Sequence, residues 1–179
     1  MTQTEKLYGG ALYELAVEEG SAERILREMT VVDGVFGENP DYLYLLSTPA
    51  LPKTERCDIL DRCFRGRVDG NLLNFMKILC ESGTIRRFSG CLREYKRRYN
   101  EDNGILEAVA VTAVPVSGEL AEKLRARLCE VTGKSVDLTC RVDPSCLGGV
   151  RLEMDGTRLD GTVSGRLEDI RRRLSETVI

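Results

Sequence analysis

The side chains best suited to chemistry here are seven cysteines, Cys57, Cys63, Cys80, Cys91, Cys129, Cys140 and Cys146, and two aspartates in turn-forming strings, Asp143 and Asp160. That many cysteines could build a disulfide scaffold, a metal cluster or a redox centre. Their count is odd, no two stand as C-x-x-C, and each falls on or beside an apolar run. Cys57 and Cys63, on one expected helix, point to different sides of it and are poorly placed to share a metal. The pattern fits free, mostly buried thiols in a reducing compartment; the alternative is a small cytosolic cysteine-based metal or redox protein. Asp143 precedes Pro144 and Asp160 precedes Gly161, positions where aspartate organises its own backbone. They are read as turn and cap residues in preference to an acid–base pair. Gly148-Gly149 exposes backbone N–H groups, but it precedes a strand, so no helix dipole backs an anion there and a tight turn is expected.

The sequence has no histidine. Ser-His-Asp and Cys-His nucleophile pairs, imidazole bases and most zinc and iron sites go with it. No G-x-G-x-x-G or P-loop string occurs. No catalytic residue, metal ligand or cofactor is therefore assigned. The net charge of −3 argues against nucleic acid as a partner, since neutralising phosphates needs a basic surplus. The clusters Arg86-Arg87, Lys96-Arg97-Arg98 and Arg171-Arg172-Arg173 sit inside helical patterns and read as solvated faces. No apolar run approaches the roughly 20 residues needed to span a bilayer, and the first residues lack a signal or transit pattern. Any membrane association is expected through partners, without direct insertion.

The elements carrying these residues divide into two kinds. Up to about Asn103 every apolar pattern has helical period. Helix one runs from Glu5 to Glu19 with Tyr8, Ala11, Leu12 and Leu15 on one side and Gly20 as its stop. Ser21 is placed to cap helix two, whose stripe is Ile25, Leu26, Met29, Val32 and Phe36, with Asp33-Gly34 interrupting its last turn. Asn39-Pro40 is expected to cap and start a third helix, and Pro52 to open a fourth. Helix five, Asn71 to Ser82, buries Leu72, Phe75, Met76 and Leu79, but Leu73 and Cys80 widen its apolar arc on one flank and Ile78 on the other. An arc that wide is either central to a bundle or offers a second face to a partner. Ile85, Phe88, Leu92, Tyr95 and Tyr99 mark a sixth helix.

The polar string Asn100-Glu101-Asp102-Asn103-Gly104 is read as a turn and a domain boundary. Beyond it the period becomes two: Val109, Val111 and Ala113, then Val136, Leu138, Cys140 and Val142, then Val150, Leu152 and Met154. Ser117 caps a helix bearing Leu120, Leu124 and Leu128, and Asp155-Gly156 is a hairpin signal. Val163, Leu167, Ile170 and Leu174 lie on one face of a terminal helix. The fold class is α plus α/β: an N-terminal six-helix bundle over residues 1–103, then a small domain of strands and two helices over 104–179.

Taken together, several strings carry a resemblance. V-D-P-S-C-L-G-G-V from Val142 to Val150, with L-D-G-T-V from Leu159 to Val163, resembles the C-terminal signature of the delta subunit of F-type ATP synthases, the bacterial counterpart of the mitochondrial oligomycin-sensitivity-conferring protein. L-Y-G-G-A-L-Y-E-L-A from Leu7 resembles the family's Y-A-x-A-L-F-E-L-A, and N-F-M-K-I-L-C-E-S-G from Asn74 its N-F-x-x-x-L-x-x-x-G-R. Val114-Pro115-Val116-Ser117 is similar to its A-x-P-L-S. Three departures stand out. Gly9-Gly10 replaces an alanine region and is expected to loosen helix one by about 1 kcal/mol per glycine. Thr84 stands where the family has arginine, and Thr162 replaces serine while keeping the hydroxyl.

The resemblance implies a non-catalytic stator, peripheral on the cytoplasmic side of a bacterial cell membrane. It implies that the bundle binds N-terminal helices of alpha subunits in a groove made by Tyr8, Ala11, Leu12, Leu15, Asn74, Phe75 and Ile78. It also implies that the C-terminal domain, with Asp143, Pro144, Gly148, Gly149, Asp160 and Gly161 as its structural signature, holds the C-terminal ends of b subunits. All seven cysteines should be replaceable by alanine or serine with modest loss of stability and intact partner binding. Stoichiometric zinc in the native protein, lost together with binding, would contradict this.

Overall fold

The computed structural model describes residues 2–154, 157–165 and 167. The chain divides into two compact units, Met1–Tyr99 and Asn100–Ile179, each treated separately below.

The first unit is helical. Its elements are α1 (Gln3–Glu18), α2 (Ala22–Glu38), α3 (Pro40–Ser47), α4 (Lys53–Phe64), α5 (Gly70–Glu81), a 3-10 turn (Ile85–Arg87) and α6, which starts at Phe88 and continues to Asp102. Its core gathers the expected stripes: Leu12, Ile25, Met29, Val32, Leu46, Leu60, Leu72, Met76, Leu79, Phe88 and Tyr95 are all buried. Phe36 meets Phe88 edge-on at 5.3 Å between ring centroids, and Tyr13 meets Tyr95 in the same way at 5.3 Å, a geometry that sets a ring's positive edge against its neighbour's negative face.

Several local expectations are corrected. The Ser21 side chain does not cap α2; its hydroxyl donates back to the Ala16 carbonyl at 3.4 Å. α2 runs through Asp33-Gly34 to Glu38, because burying Phe36 is worth about 1.5–3 kcal/mol against roughly 1 kcal/mol for a helical glycine. The Asn39 amide donates to the Val35 carbonyl at 2.9 Å, closing α2 in place of capping α3. Asp69 caps α5 by accepting from the Asn71 N–H at 2.8 Å. Asn100, Glu101 and Asp102, expected in a turn, continue α6, and the chain reverses at Gly104, whose φ is +60°. Gly9 and Gly10 are buried against α6, so they serve packing and not merely looseness.

The core also holds an arginine. Arg56 of α4 is 6% exposed, and its Nη1 donates to the carbonyls of Leu46 at 3.2 Å and Cys80 at 3.1 Å. Both carbonyls lie in the last turns of their helices, where no intrahelical donor remains and the dipole is negative. One buried cation thus ties the ends of α3 and α5 to α4.

The second unit comprises β1 (Ile105–Thr112), α7 (Gly118–Thr132), β2 (Ser135–Val142), a 3-10 turn (Pro144–Cys146), β3 (Val150–Met154) and β4 (Thr157–Asp160), and its four strands form one sheet of order β2-β1-β3-β4. β1 and β2 are parallel, from Ile105 opposite Ser135 to Thr112 opposite Val142, with α7 as the crossover that a parallel pair requires. β3 runs antiparallel to β1, and β4 to β3 with Met154 opposite Thr157. Ser117 caps α7 by accepting from the Leu120 N–H at 3.4 Å, and Gly133 ends it at φ +68°.

The phase of β1 differs from the expected one. Its buried alternation is Leu106, Ala108 and Ala110, while Val109 and Ala113 are half-buried. Leu106 and Ala108 pack with Leu128 of α7 and Val136 of β2. Val111 on the other face is buried too. A strand apolar on both faces hides its phase. In β2, Val136 is buried, Leu138 half-buried, and Cys140 and Val142 exposed. Asp155-Gly156, expected as a hairpin turn, lies outside the described residues, as do Ile170 and Leu174 of the expected terminal helix. Val163, Ser164, Gly165 and Leu167 are helical.

Arg56→Ala would remove the donor shared by two helix-end carbonyls in the core, leaving the Leu46 carbonyl only the Cys80 thiol and the Cys80 carbonyl only the Gly83 N–H. Its expected effect is a loss of about 2–4 kcal/mol in unfolding free energy, read from the urea midpoint at unchanged m-value. A loss under about 0.5 kcal/mol would show that the tie is dispensable.

Candidate functional site

Tyr8, Ala11, Leu12 and Leu15 of α1 and Asn74, Phe75 and Ile78 of α5 come together, with Asn71, around a single open groove of about 380 Å³. Leu12 and Phe75 are buried and form its floor. Leu15, Ile78, Ala11 and Asn74 are exposed along its rim, and Tyr8 is half-buried. Beside one mouth, the Asn71 amide donates to the Glu19 carboxylate at 2.5 Å, bridging the C-terminal end of α1 to the N-terminal turn of α5. The two helices therefore run antiparallel along the groove.

α5 owes this to its wide apolar arc. Leu72, Leu73, Met76, Leu79 and Cys80 are buried, whereas Ile78 is 50% exposed. One flank of the arc closes on the core and the other stays free. No lining residue is charged. The groove can bury an apolar side-chain row, which is what an amphipathic helix presents.

A second hollow, about 450 Å³, is lined by Val31, Val35, Tyr42, Cys63, Arg67 and Val68 among others. The sequence reading did not anticipate it. Val31 is well exposed, and its only signal was a second valine beside the core position Val32.

The seven thiols differ in exposure. Cys80, Cys91 and Cys146 are buried, Cys57 and Cys129 half-buried, Cys63 and Cys140 exposed. Burial pushes the Cys91 thiol up to about 11, and burial raises Cys57 and Cys80 as well. A raised thiol holds little thiolate, the nucleophilic and metal-binding form. The Cys80 thiol donates to the Leu46 carbonyl at 3.3 Å, a structural contact beside Arg56. Among the described residues no group of three or more cysteine, aspartate or glutamate side chains could hold a metal ion. The cysteine-based metal or redox alternative finds no support.

In the second unit the six signature residues build two interlocked turns. Asp143 accepts from the Ser145 N–H at 3.0 Å and its hydroxyl at 2.6 Å; Asp160 accepts from the Thr162 N–H at 3.0 Å and its hydroxyl at 2.6 Å. Those hydroxyls, then the backbone N–H groups, hold both aspartates below their ordinary carboxylate value. Pro144 opens the 3-10 turn that follows Asp143. The Thr162 hydroxyl also accepts from the Gly165 N–H at 3.0 Å, where the helical residues from Val163 begin. Gly161 N–H donates to the Val150 carbonyl and Val163 N–H to the Gly148 carbonyl, both at 3.0 Å. Gly149 has φ +79°, and a Cβ there would come within 2.5 Å of the Gly161 carbonyl. Gly148 is freer, since a Cβ would meet only Val163 at 3.5 Å. The arrangement is a latch between the turn before β3 and the segment after β4.

The family model described as "ATP synthase delta (OSCP) subunit" matches residues 4–174. "ATP synthase subunit delta" of Alkaliphilus oremlandii is 31% identical over 174 residues, covering 97% of this chain and 97% of that one. The protein of the same name in Enterococcus hirae is 32% identical over 169 residues, covering 94% and 93%. Among solved structures, a chain in the cryo-EM structure of the Toxoplasma gondii mitochondrial ATP synthase hexamer is similar with a TM-score of 0.79 at 16% identity, over 97% of this chain and 98% of that one. That likeness establishes the shared fold of helices plus a small four-stranded sheet.

Gly149→Ala tests the latch. The positive φ and the blocked Cβ together should lower unfolding free energy by about 2–4 kcal/mol, while Gly148→Ala changes it far less. Chemical denaturation of the two variants separates them, and equal effects would refute the steric account.

Proposed function

The chain belongs to the ATP synthase delta (OSCP) subunit family, and from that premise we propose how its two units work. It is a non-catalytic, peripheral subunit of an F-type ATP synthase, part of the stalk that couples rotation to ATP synthesis. No helix among the described residues is long and apolar enough to cross a membrane. Rotation of a central stalk exerts torque on the catalytic head, and ATP is made only if the head is held. The holding link must be tight and slow to release, which favours buried apolar anchors over exposed ion pairs.

Residues 1–103, taken as a six-helix bundle, act as the head-binding module, and the groove between α1 and α5 receives the N-terminal helix of an alpha subunit. Residues 104–179 hold the C-terminal ends of b subunits, on the cytoplasmic side of a bacterial cell membrane. The observation carrying the groove assignment is Ile78. At 100° per residue it sits roughly 110° around α5 from the centre of the core face. It is half exposed beside fully buried Leu79, and it completes an uncharged groove otherwise left open to water.

Ile78→Asp should forfeit about 1.5–3 kcal/mol of apolar burial and add the cost of desolvating an unpaired carboxylate. Affinity for a synthetic alpha-subunit N-terminal peptide is then expected to fall by about a hundredfold or more, with the melting transition of the free protein retained. Leu79→Asp, aimed into the core, should unfold the bundle. Calorimetric titrations alongside thermal melts read both effects. Wild-type affinity in Ile78→Asp, or its unfolding, would overturn this assignment of the two faces.

A further inference from the structure

The α1 wall of the groove is held from behind, on a side its partner helix does not touch. Gly9 and Gly10 are buried although their neighbours Leu7 and Ala11 are exposed. A Cβ at position 9 would lie 2.5 Å from the Cys91 carbonyl oxygen of α6 and 3.0 Å from the Glu94 Cβ. A Cβ at position 10 would run into the Arg98 guanidinium, and Gly90 of α6 leaves the space that the Glu5 side chain of α1 occupies. The two helices thus approach more closely than a side chain at these points would allow. Glu94, 1% exposed, accepts from Arg97 at 2.7 and 3.0 Å and from Arg98 at 3.0 Å. Arg98 reaches across to Glu14 of α1 at 2.7 Å.

Seam and groove share no residue: Gly9, Gly10 and Tyr13 meet α6, while Tyr8, Ala11, Leu12 and Leu15 line the groove with α5. We infer that the glycine seam between α1 and α6, and Gly9 above all, sets where the α1 wall stands and so tunes the groove to the helix it receives. Gly9 is a positioning residue for a site it does not touch. The inference rests on the groove being the docking site. Gly9 and Gly10 are not equivalent. The atom blocking position 9 is a backbone carbonyl that no rotamer can move aside, so α1 must shift. The group blocking position 10 is the end of a flexible side chain, which can swing away and leave the helix in place.

The test measures full-length Gly9→Ala, Gly10→Ala and Ile78→Asp against a synthetic peptide of the alpha-subunit N-terminus, and records amide spectra without peptide. Gly9→Ala is expected to bind about tenfold more weakly and Gly10→Ala to change by less than about threefold. In free Gly9→Ala the amide signals of Asn74, Phe75 and Ile78 should move although residue 9 does not line the groove, a readout that simple loss of stability would not produce. A folded Gly9→Ala with wild-type affinity and unmoved α5 signals overturns the inference. If Ile78→Asp binds like wild type, the docking site itself is wrong, and the seam then stands or falls on the α5 signals alone. If Gly9→Ala does not fold, Glu94→Gln replaces it, because it weakens the same seam without adding an atom. Several-fold weaker binding with shifted α5 signals supports the seam, and unchanged values overturn it.

Discussion

The first unit depends on a packing constraint at α1. This helix must bury one edge against α5 and another against α6, yet leave Ala11 and Leu15 uncovered between them. A helix docked through large side chains on both edges would stand farther out and close over its neighbours with its own apolar surface. Glycines remove that bulk where α1 crosses α6, so α1 is seated there by backbone contact at Gly9 beside the Tyr13–Tyr95 ring pair, and Leu12 is its contribution to the groove floor. The conformational penalty of Gly9 and Gly10 in a helix, about 1 kcal/mol each, is offset by contacts that only glycine permits. What remains is a slot with a buried apolar floor and an uncharged rim.

α5 supplies the other wall by the opposite device. Its apolar arc is wider than the core can cover, and the excess falls on one flank as Ile78. This was legible in the residues, because six apolar positions in two turns exceed any single packed face. Helix boundaries set by proline and glycine were legible too, at Pro40, Pro52, Gly20 and Gly133. Less so were features whose physics is tertiary. Arg56 reads as one more charged position of an amphipathic helix until the ends of α3 and α5 are seen to converge on it. Ser21 and Asn39 carry the right side chains for capping, but a neighbouring carbonyl takes each of them. The phase of β1 was hidden because Leu106, Ala108, Ala110 and Val111 are all buried, which erases the alternation that reveals a half-exposed strand.

The same distinction runs through the signature of the second unit. Asp143 and Asp160 could be assigned to turns from their neighbours alone. That the two turns interlock could not, since sequence spacing does not say that Gly149 and Gly161 lie in contact. The latch satisfies its polar groups internally: each aspartate is met by a hydroxyl and an N–H, and the Gly148 and Val150 carbonyls are met by N–H groups of the other turn. Such a network is costly to leave half-made, so it forms or fails as a unit. The Thr162 hydroxyl works in both directions, donating to Asp160 and accepting from the Gly165 N–H.

Charge enters the two halves of the proposed joint unequally. The groove lining holds no charged side chain, so a helix seated in it gains almost nothing from ion pairing and is little affected by screening. The exposed pairs on α7, such as Lys123 with Glu119 at 2.6 Å, are of the kind that contributes little to any tight link. The seam behind α1 is different, because Glu94 anchors two arginines from a buried position. Hydrogen bonds from Arg97 foremost, then from Arg98, hold its carboxyl below the ordinary glutamate value. A folded value below the unfolded one means that this contribution is fully present above the ordinary value and is lost as pH falls through the lowered one. Near neutral pH the clasp is therefore fully ionised and insensitive to modest changes in acidity. In the proposed joint an uncharged groove thus stands beside a clasp whose carboxylate is held below its ordinary value.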